Sequence, residues 1–206
     1  MQNPPPKTYY RRNLPHFYPD DAIYFVTFRL AHTISGIELQ RLHPLYPGAR
    51  ASNEDHSKYF QEYEFVLDAA RHGPKYLERE DIREIVKASL TFAGEKWLDM
   101  IAFTIMPNHV HFVAKLKGEK TLPQVMQSIK GFSSREANKI LGNTGTAFWQ
   151  AESYDRVVRE GRLGNTVYYI LMNPVKAGLV EDWRDWPGSY LSPGFFGIET
   201  LGLKAR

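Results

Sequence analysis

The chain has 206 residues, no cysteine, and 26 lysines and arginines against 23 aspartates and glutamates, a formal net charge of +3. That length supports one domain whose core removes roughly 70% of the unfolded surface from water, and the missing cysteines exclude disulfide frameworks and cysteine-ligated zinc. So small an excess of positive charge excludes little, and the case for a polyanionic partner must come from local clusters.

The opening Met1 to Arg12 is proline-rich and lacks the apolar core of a secretory signal. No stretch approaches the roughly 18 apolar residues of a membrane helix; the longest, Trp97 to Met106, is broken by Asp99 and Thr104. A cytoplasmic, nucleoid-associated protein with no membrane partner is the expectation.

In chain order, Ile23 to Leu30 is aromatic and β-branched and follows Pro19-Asp20-Asp21, so it reads as a first strand. Residues 33–56, with Pro47-Gly48 and Ser52-Asn53, read as a surface excursion. Tyr59, Phe60, Tyr63, Val66, Leu67 and Ala70 have helical spacing and stop at Gly73-Pro74. A second helical set, Ile82, Ile85, Val86, Ser89, Leu90 and Ala93, stops at Gly94. Trp97 to Met106 reads as a strand, and Pro107-Asn108 turns it into another, giving a hairpin.

Leu122, Val125, Met126, Ile129, Phe132, Ala137, Ile140 and Leu141 make the apolar face of a long helix, capped near Thr121 and closed by Gly142-Asn143. Arg156-Val157-Val158 is a short strand, and a last helix covers about Leu163 to Asn173, after the glycine-rich Gly161-Arg162-Leu163-Gly164. From Gly178 no period is visible, and residues 181–206 read as a tail. The order is β-α-β-β-α-β with an additional C-terminal helix, an α+β domain of ferredoxin-like antiparallel type, which by itself fixes no activity.

The most chemical feature is His109-Val110-His111. Side chains alternate along a strand, so His109, His111, Val113 and Lys115 share one face while Val110, Phe112, Ala114 and Leu116 share the other; the apolar set must bury and the histidines need not. Two imidazoles make a two-armed metal site that needs a further ligand, although an isolated His-x-His is more often a pair of hydrogen-bonded strand residues. Tyr169 and Asn173, four apart, share a face of the last helix and can deliver a phenol and an amide oxygen together. Equally, Asn173 can cap a turn in which Pro174 is the first helical residue, Tyr169 can pack on the sheet, and Tyr168 competes with it.

These segments together resemble the REP-associated tyrosine transposases, within the single-tyrosine HUH (His, hydrophobic, His) transposases. The resemblance rests on Tyr24-Phe25-Val26-Thr27-Phe28-Arg29, Met106-Pro107-Asn108-His109-Val110-His111 and Gln127-Ser128-Ile129-Lys130-Gly131-Phe132-Ser133. It continues through Phe148-Trp149-Gln150, Tyr154-Asp155-Arg156-Val157-Val158-Arg159 and Tyr169 to Val180. It implies that His109 and His111 hold a divalent cation, that Tyr169 is a nucleophile and that Asn173 is a third ligand. It further implies nicking and rejoining of single-stranded DNA beside REP-like hairpins through a 5′-phosphotyrosyl intermediate. Imidazoles alone suggest zinc or a similar ion, whereas the resemblance implies Mg²⁺ or Mn²⁺; manganese satisfies both.

For nucleic-acid contact the candidates are Lys115 beside the histidines, Lys130, Arg135 and Lys139 on the polar side of the long helix, Trp149 as a stacking ring, and Arg156 and Arg159 near the last strand. Each cation is as readily a solvated surface charge. Two rivals stand beside this reading: a metal phosphodiesterase that uses water, and a non-catalytic ferredoxin-like nucleic-acid-binding module. Either a monomer or a homodimer suits the resemblance.

Overall fold

The computed structural model describes residues 9–11, 15–17, 21–42, 45, 53–69 and 73–195. A short hairpin, β1 (Tyr9–Arg11) with β2 (Pro15–Phe17), precedes the main sheet. That sheet holds β3 (Ile23–Arg29), β4 (Leu98–Ile105), β5 (His109–Leu116), β6 (Tyr154–Val157) and β7 (Ser189–Leu191) in the order β6-β3-β5-β4-β7, every pair antiparallel. The helices are α1 (Gly36–Leu42), α2 (Asn53–Ala69), α3 (Glu80–Lys96), α4 (Leu122–Leu141) and α5 (Leu163–Lys176). With α3 and α4 as crossovers, β3-α3-β4-β5-α4-β6 is the expected ferredoxin-like scheme, and α5 follows it. No helix among the described residues is long and apolar enough to cross a membrane.

The alternation of β3 and β5 divides the core in two. Tyr24, Val26, Phe28, Val110, Phe112 and Ala114 face α3 and α4, meeting Ile82, Val86, Leu90, Leu122, Val125 and Ile129. Phe25 and Val113 face the opposite way, toward Tyr59 and Leu67 of α2 and Val167, Ile170 and Leu171 of α5. His109 and His111 lie on this second face, and they are buried, at 1% and 0% exposure. The sequence allowed an open histidine face; two helices cover it instead.

The long helix α4 departs from its expected stripe. Phe132 and Ile140 are each 44% exposed, whereas Ser133 is fully buried. A hydroxyl is tolerated there because it is satisfied: Ser133 Oγ donates to the Ile129 carbonyl at 2.6 Å and accepts from the Trp149 indole at 2.9 Å. Thr121 and Gln124 form a reciprocal capping box at the start, and Gly142 closes the helix in a left-handed conformation, φ 68°.

Besides the β1/β2 hairpin, two further elements were not legible in advance. Gly36–Leu42, within the expected excursion, is helical and contacts α2. The tail contributes the edge strand β7, pairing Ala102 with Leu191, Phe103 with Tyr190 and Thr104 with Ser189. Pro174 lies inside α5 rather than opening a new turn.

Candidate metal and nucleophile centre

Three elements converge beneath the second face: the hairpin strand β5, the middle of α2 and the second half of α5. Glu64, His109 and His111 are all buried, and one ligand atom from each lies within 4.8 Å of the others. The Nε2 atoms of the two histidines are 2.9 Å apart, and Glu64 Oε2 is 3.0 Å from His111 Nε2. Tyr169 donates its hydroxyl hydrogen to Glu64 Oε2. Asp68, one helical turn beyond Glu64 and a third exposed, places Oδ1 3.8 Å from His109 Nε2.

Outer partners set the imidazole protons. Asn108 is 1% exposed, and its Nδ2 donates to the Leu67 carbonyl at 3.1 Å, which leaves Oδ1 facing His109 Nδ1 at 2.6 Å. An amide oxygen only accepts, so His109 Nδ1 carries the proton and a neutral His109 presents an Nε2 lone pair. His111 Nδ1 meets the Thr27 hydroxyl at 2.8 Å, a partner able to donate or accept. With a lone pair on His109 Nε2, the 2.9 Å contact between the two Nε2 atoms puts the His111 proton on Nε2, and Thr27 then donates to His111 Nδ1; the Thr27 hydroxyl can turn to accept when that proton moves to Nδ1.

Burial dominates the electrostatics. It pushes His109 down to about 3, helped by His111 and opposed by Glu64, and lowers His111 to about 4 against the pull of Asp68. Both rings are thus neutral near pH 7, the ligating form. Burial raises Glu64 to about 7, with His109, the Tyr169 hydrogen bond and Arg156 acting the other way, and raises Asp68 to about 6. The Tyr169 phenol lies well above its ordinary value because of burial first and the Glu64 charge second.

A divalent cation fits this donor set. Two neutral imidazoles and a carboxylate converge, and two buried oxygens nearby, Glu64 Oε1 and Asn173 Oδ1, have no hydrogen-bond partner among the described residues. A buried acceptor left unpaired costs about 1–3 kcal/mol, and a cation at the cluster would relieve the Glu64 oxygen.

Of the residues singled out from sequence, His109, His111 and Tyr169 meet in this cluster, and Asn173, 1% exposed, lies against Tyr169, its Nδ2 3.4 Å from the Tyr169 carbonyl. Tyr168 makes no ring contact with the histidines among the described residues. Arg156 stands at the rim over the rings of Phe25 and Phe60, and Arg159 is exposed just beyond β6. Lys115 pairs with Asp21 at 3.0 Å.

The α4 candidates lie on the other layer of the protein. Arg135 and Lys139 both pair with Glu136, at 3.3 and 2.9 Å. Lys130 Nζ donates to the carbonyls of Gln150, Ala151 and Glu152 and so braces the segment leading into β6. Trp149, 7% exposed, is packed in the α3/α4 core and presents no open ring to a base.

Sequence reasoning missed Glu64, Asp68, Thr27, Asn108 and Lys176, whose ammonium lies 5.1 Å from the Tyr169 ring centroid. For Glu64 a signal existed: it stands between Phe60 and Leu67, four and three residues away, in the apolar stripe of its helix.

The sequence and fold have relatives. A protein of Haemophilus influenzae (strain ATCC 51907 / DSM 11121 / KW20 / Rd) described as a REP-associated tyrosine transposase is 27% identical over 101 residues, 44% of this chain and 57% of that protein. The chain thus spans a little over half the length of that relative. The structure of a REP-associated tyrosine transposase bound to a REP hairpin superposes with a TM-score of 0.52 at 18% identity, over 94% of this chain and 85% of the other, a likeness of fold. A Deinococcus radiodurans R1 protein described as a transposase matches with a TM-score of 0.36 at 17% identity, over 74% and 91%. The family model "Transposase IS200 like" matches residues 58–170, which take in Glu64, both histidines and Tyr169. That match covers more than half of the sequence, and the chain belongs to the IS200-like transposase family.

Proposed function

We propose that the protein nicks single-stranded DNA at REP-like hairpin elements and transfers the strand, using Tyr169 as nucleophile at a centre of His109, His111, Glu64 and Asn173 that holds Mn²⁺ or Mg²⁺. The observation that carries this reading is the Tyr169 hydroxyl directed into the buried Glu64, His109 and His111 cluster. The family match supports it. Bound there, a divalent cation supplies charge withdrawal from the non-bridging oxygens of one phosphate and offsets the Glu64 charge that keeps the phenol protonated.

The remaining work falls to the chain. His109 is held by Asn108 with its Nε2 lone pair inward, and His111 matches it when its proton sits on Nδ1 and Thr27 accepts. The Tyr169 oxygen attacks phosphorus in line, its proton leaving toward Glu64, to which it already donates. The O3′–P bond breaks, the 3′-oxygen takes a proton, and the 5′-phosphate stays on the tyrosine. One phosphodiester has replaced another, so a different 3′-hydroxyl reverses the step without ATP. Arg156, Arg159 and Lys115, on or beside the strands of the site, neutralise phosphates near the cut, whereas Arg135 and Lys139 on the opposite layer can reach only DNA beyond it.

Labelled hairpin-bearing single-stranded DNA with Mn²⁺, resolved on denaturing gels, tests the proposal. A slow-migrating protein–DNA adduct is expected in wild type and in Tyr168→Phe, and none in Tyr169→Phe. Cleavage that persists in Tyr169→Phe would assign the reaction to water. Binding without cleavage under either metal would leave a non-catalytic module.

A further inference from the structure

Arg156 is placed unlike the other surface cations. It pairs across β3 with Phe25, so it projects on the histidine face. Its guanidinium carbon lies 5.0 Å from the Phe25 ring centroid and 5.5 Å from that of Phe60. Those same two rings carry Tyr169, at 6.0 and 5.8 Å, and Phe25 stacks on His111 at 5.7 Å. The cation and the phenol thus stand on one aromatic platform that also abuts a histidine of the cluster. Arg156 acts electrostatically on Glu64, yet among the described residues its guanidinium has no hydrogen bond or ion pair. Arg79, Arg135 and Arg184 each have a carboxylate partner.

A guanidinium lying over rings is weakly hydrated and fixed in orientation, with its N–H edges left for a ligand. The ligand that matches two parallel N–H bonds beside a tyrosine nucleophile is a phosphodiester presenting its non-bridging oxygens. We propose that Arg156, seated on Phe25 and Phe60, clamps the phosphate that Tyr169 attacks and stabilises the charge that builds on its oxygens. This rests on the tyrosine reading above and assigns Arg156 a catalytic contact, distinct from general attraction to the DNA backbone.

Single-turnover nicking of hairpin-bearing single-stranded DNA with Mn²⁺ at saturating protein is the test, using Arg156→Lys and Arg156→Ala. Both are expected to nick about 10²–10³-fold more slowly, the loss typical of one preorganised donor to a developing oxyanion. Lysine fails because a point charge cannot replace the planar fork. DNA affinity measured in EDTA should change less than about 10-fold, as for the loss of one phosphate contact. A phosphorothioate at the scissile position should slow wild type more in one diastereomer than in the other, and that difference should shrink in Arg156→Ala, which removes the arginine contact and leaves the rest of the site. Variants that nick within about threefold of wild type, or whose affinity falls in step with rate, would overturn the clamp while leaving Tyr169 in place. Wild type that cleaves without a Tyr169 adduct would instead sink the tyrosine reading; wild type that never cleaves would sink both.

Discussion

At the scale of single residues, the buried cluster sets charge against desolvation. His109 and His111 stay neutral because burial lowers them to about 3 and 4, so their contribution to stability is complete above about pH 6.5 and is lost as pH falls through those values. Glu64 runs the opposite way. Its folded value of about 7 lies above the ordinary 4.5, so its contribution is complete below about pH 4.5 and disappears as pH rises through 7. Replacing it with glutamine removes that second titration and eases the rise at Asp68, which the Glu64 charge helps to cause and which acts in the same direction. In chelator-treated protein, the melting temperature of Glu64→Gln should therefore gain on wild type as pH rises from about 4.5 to 7, then run parallel to it. A pH-independent difference would show that Glu64 does not titrate in that window. The histidines could be found in the sequence because strand alternation puts two imidazoles on one face whatever surrounds them. Glu64 gave only a weak signal, its place in an apolar stripe, because a lone acid in an amphipathic helix reads as solvated until the convergence of α2 on β5 gives it partners. Arg156 was visible as a cation, but its seat on Phe25 and Phe60 depends on strand register.

At the scale of elements, the site needs α2 held in place against the turn that opens β5, and one side chain makes that tie. Asn108 bonds the Leu67 carbonyl near the end of α2 and His109 Nδ1 at the start of β5, both from a fully enclosed position. Asn108→Ala leaves two buried groups unpaired, a loss of about 1–3 kcal/mol for each. Because the amide also orients the His109 ring, the proposed metal site predicts that Mn²⁺ affinity measured by calorimetry weakens about 10–100-fold. Unchanged affinity in a folded variant would show that the histidine needs no outer partner. The helices α2 to α5 and the main strands were legible because each has its own period and its own stop signal, as with Thr121 and Gly142 around α4. The edge strand β7 was not, since three residues are too short to show alternation and their order comes from pairing with β4. The layer assignment of α2 was equally hidden: its stripe shows that it packs, and not on which side of the sheet.

At the scale of the whole molecule, the sheet separates two kinds of interior. The layer under α3 and α4 is mainly apolar, with Leu90, Phe112, Val125 and Ile129 at 0–1% exposure, and its buried hydroxyls Ser89 and Ser133 are hydrogen-bonded. The layer under α2 and α5 encloses Thr27, Glu64, His109, His111 and Asn173, each at most 5% exposed, with two oxygens unpaired. Stability is therefore unevenly distributed, and the polar layer is where a ligand has most to add. A cation at the Glu64, His109 and His111 cluster would bind the folded chain and not the unfolded one, so at 100 times its dissociation constant it would add about 2.7 kcal/mol. For a domain of this size each kcal/mol moves the midpoint by about 2–4 °C, so saturating Mn²⁺ should raise the melting temperature of EDTA-stripped protein by about 5–10 °C. In His109→Ala/His111→Ala the rise should vanish even though that variant still folds around the apolar layer. An equal rise in the double variant would place the cation elsewhere, and no rise in wild type would mean that α2, β5 and α5 close over their polar groups without one.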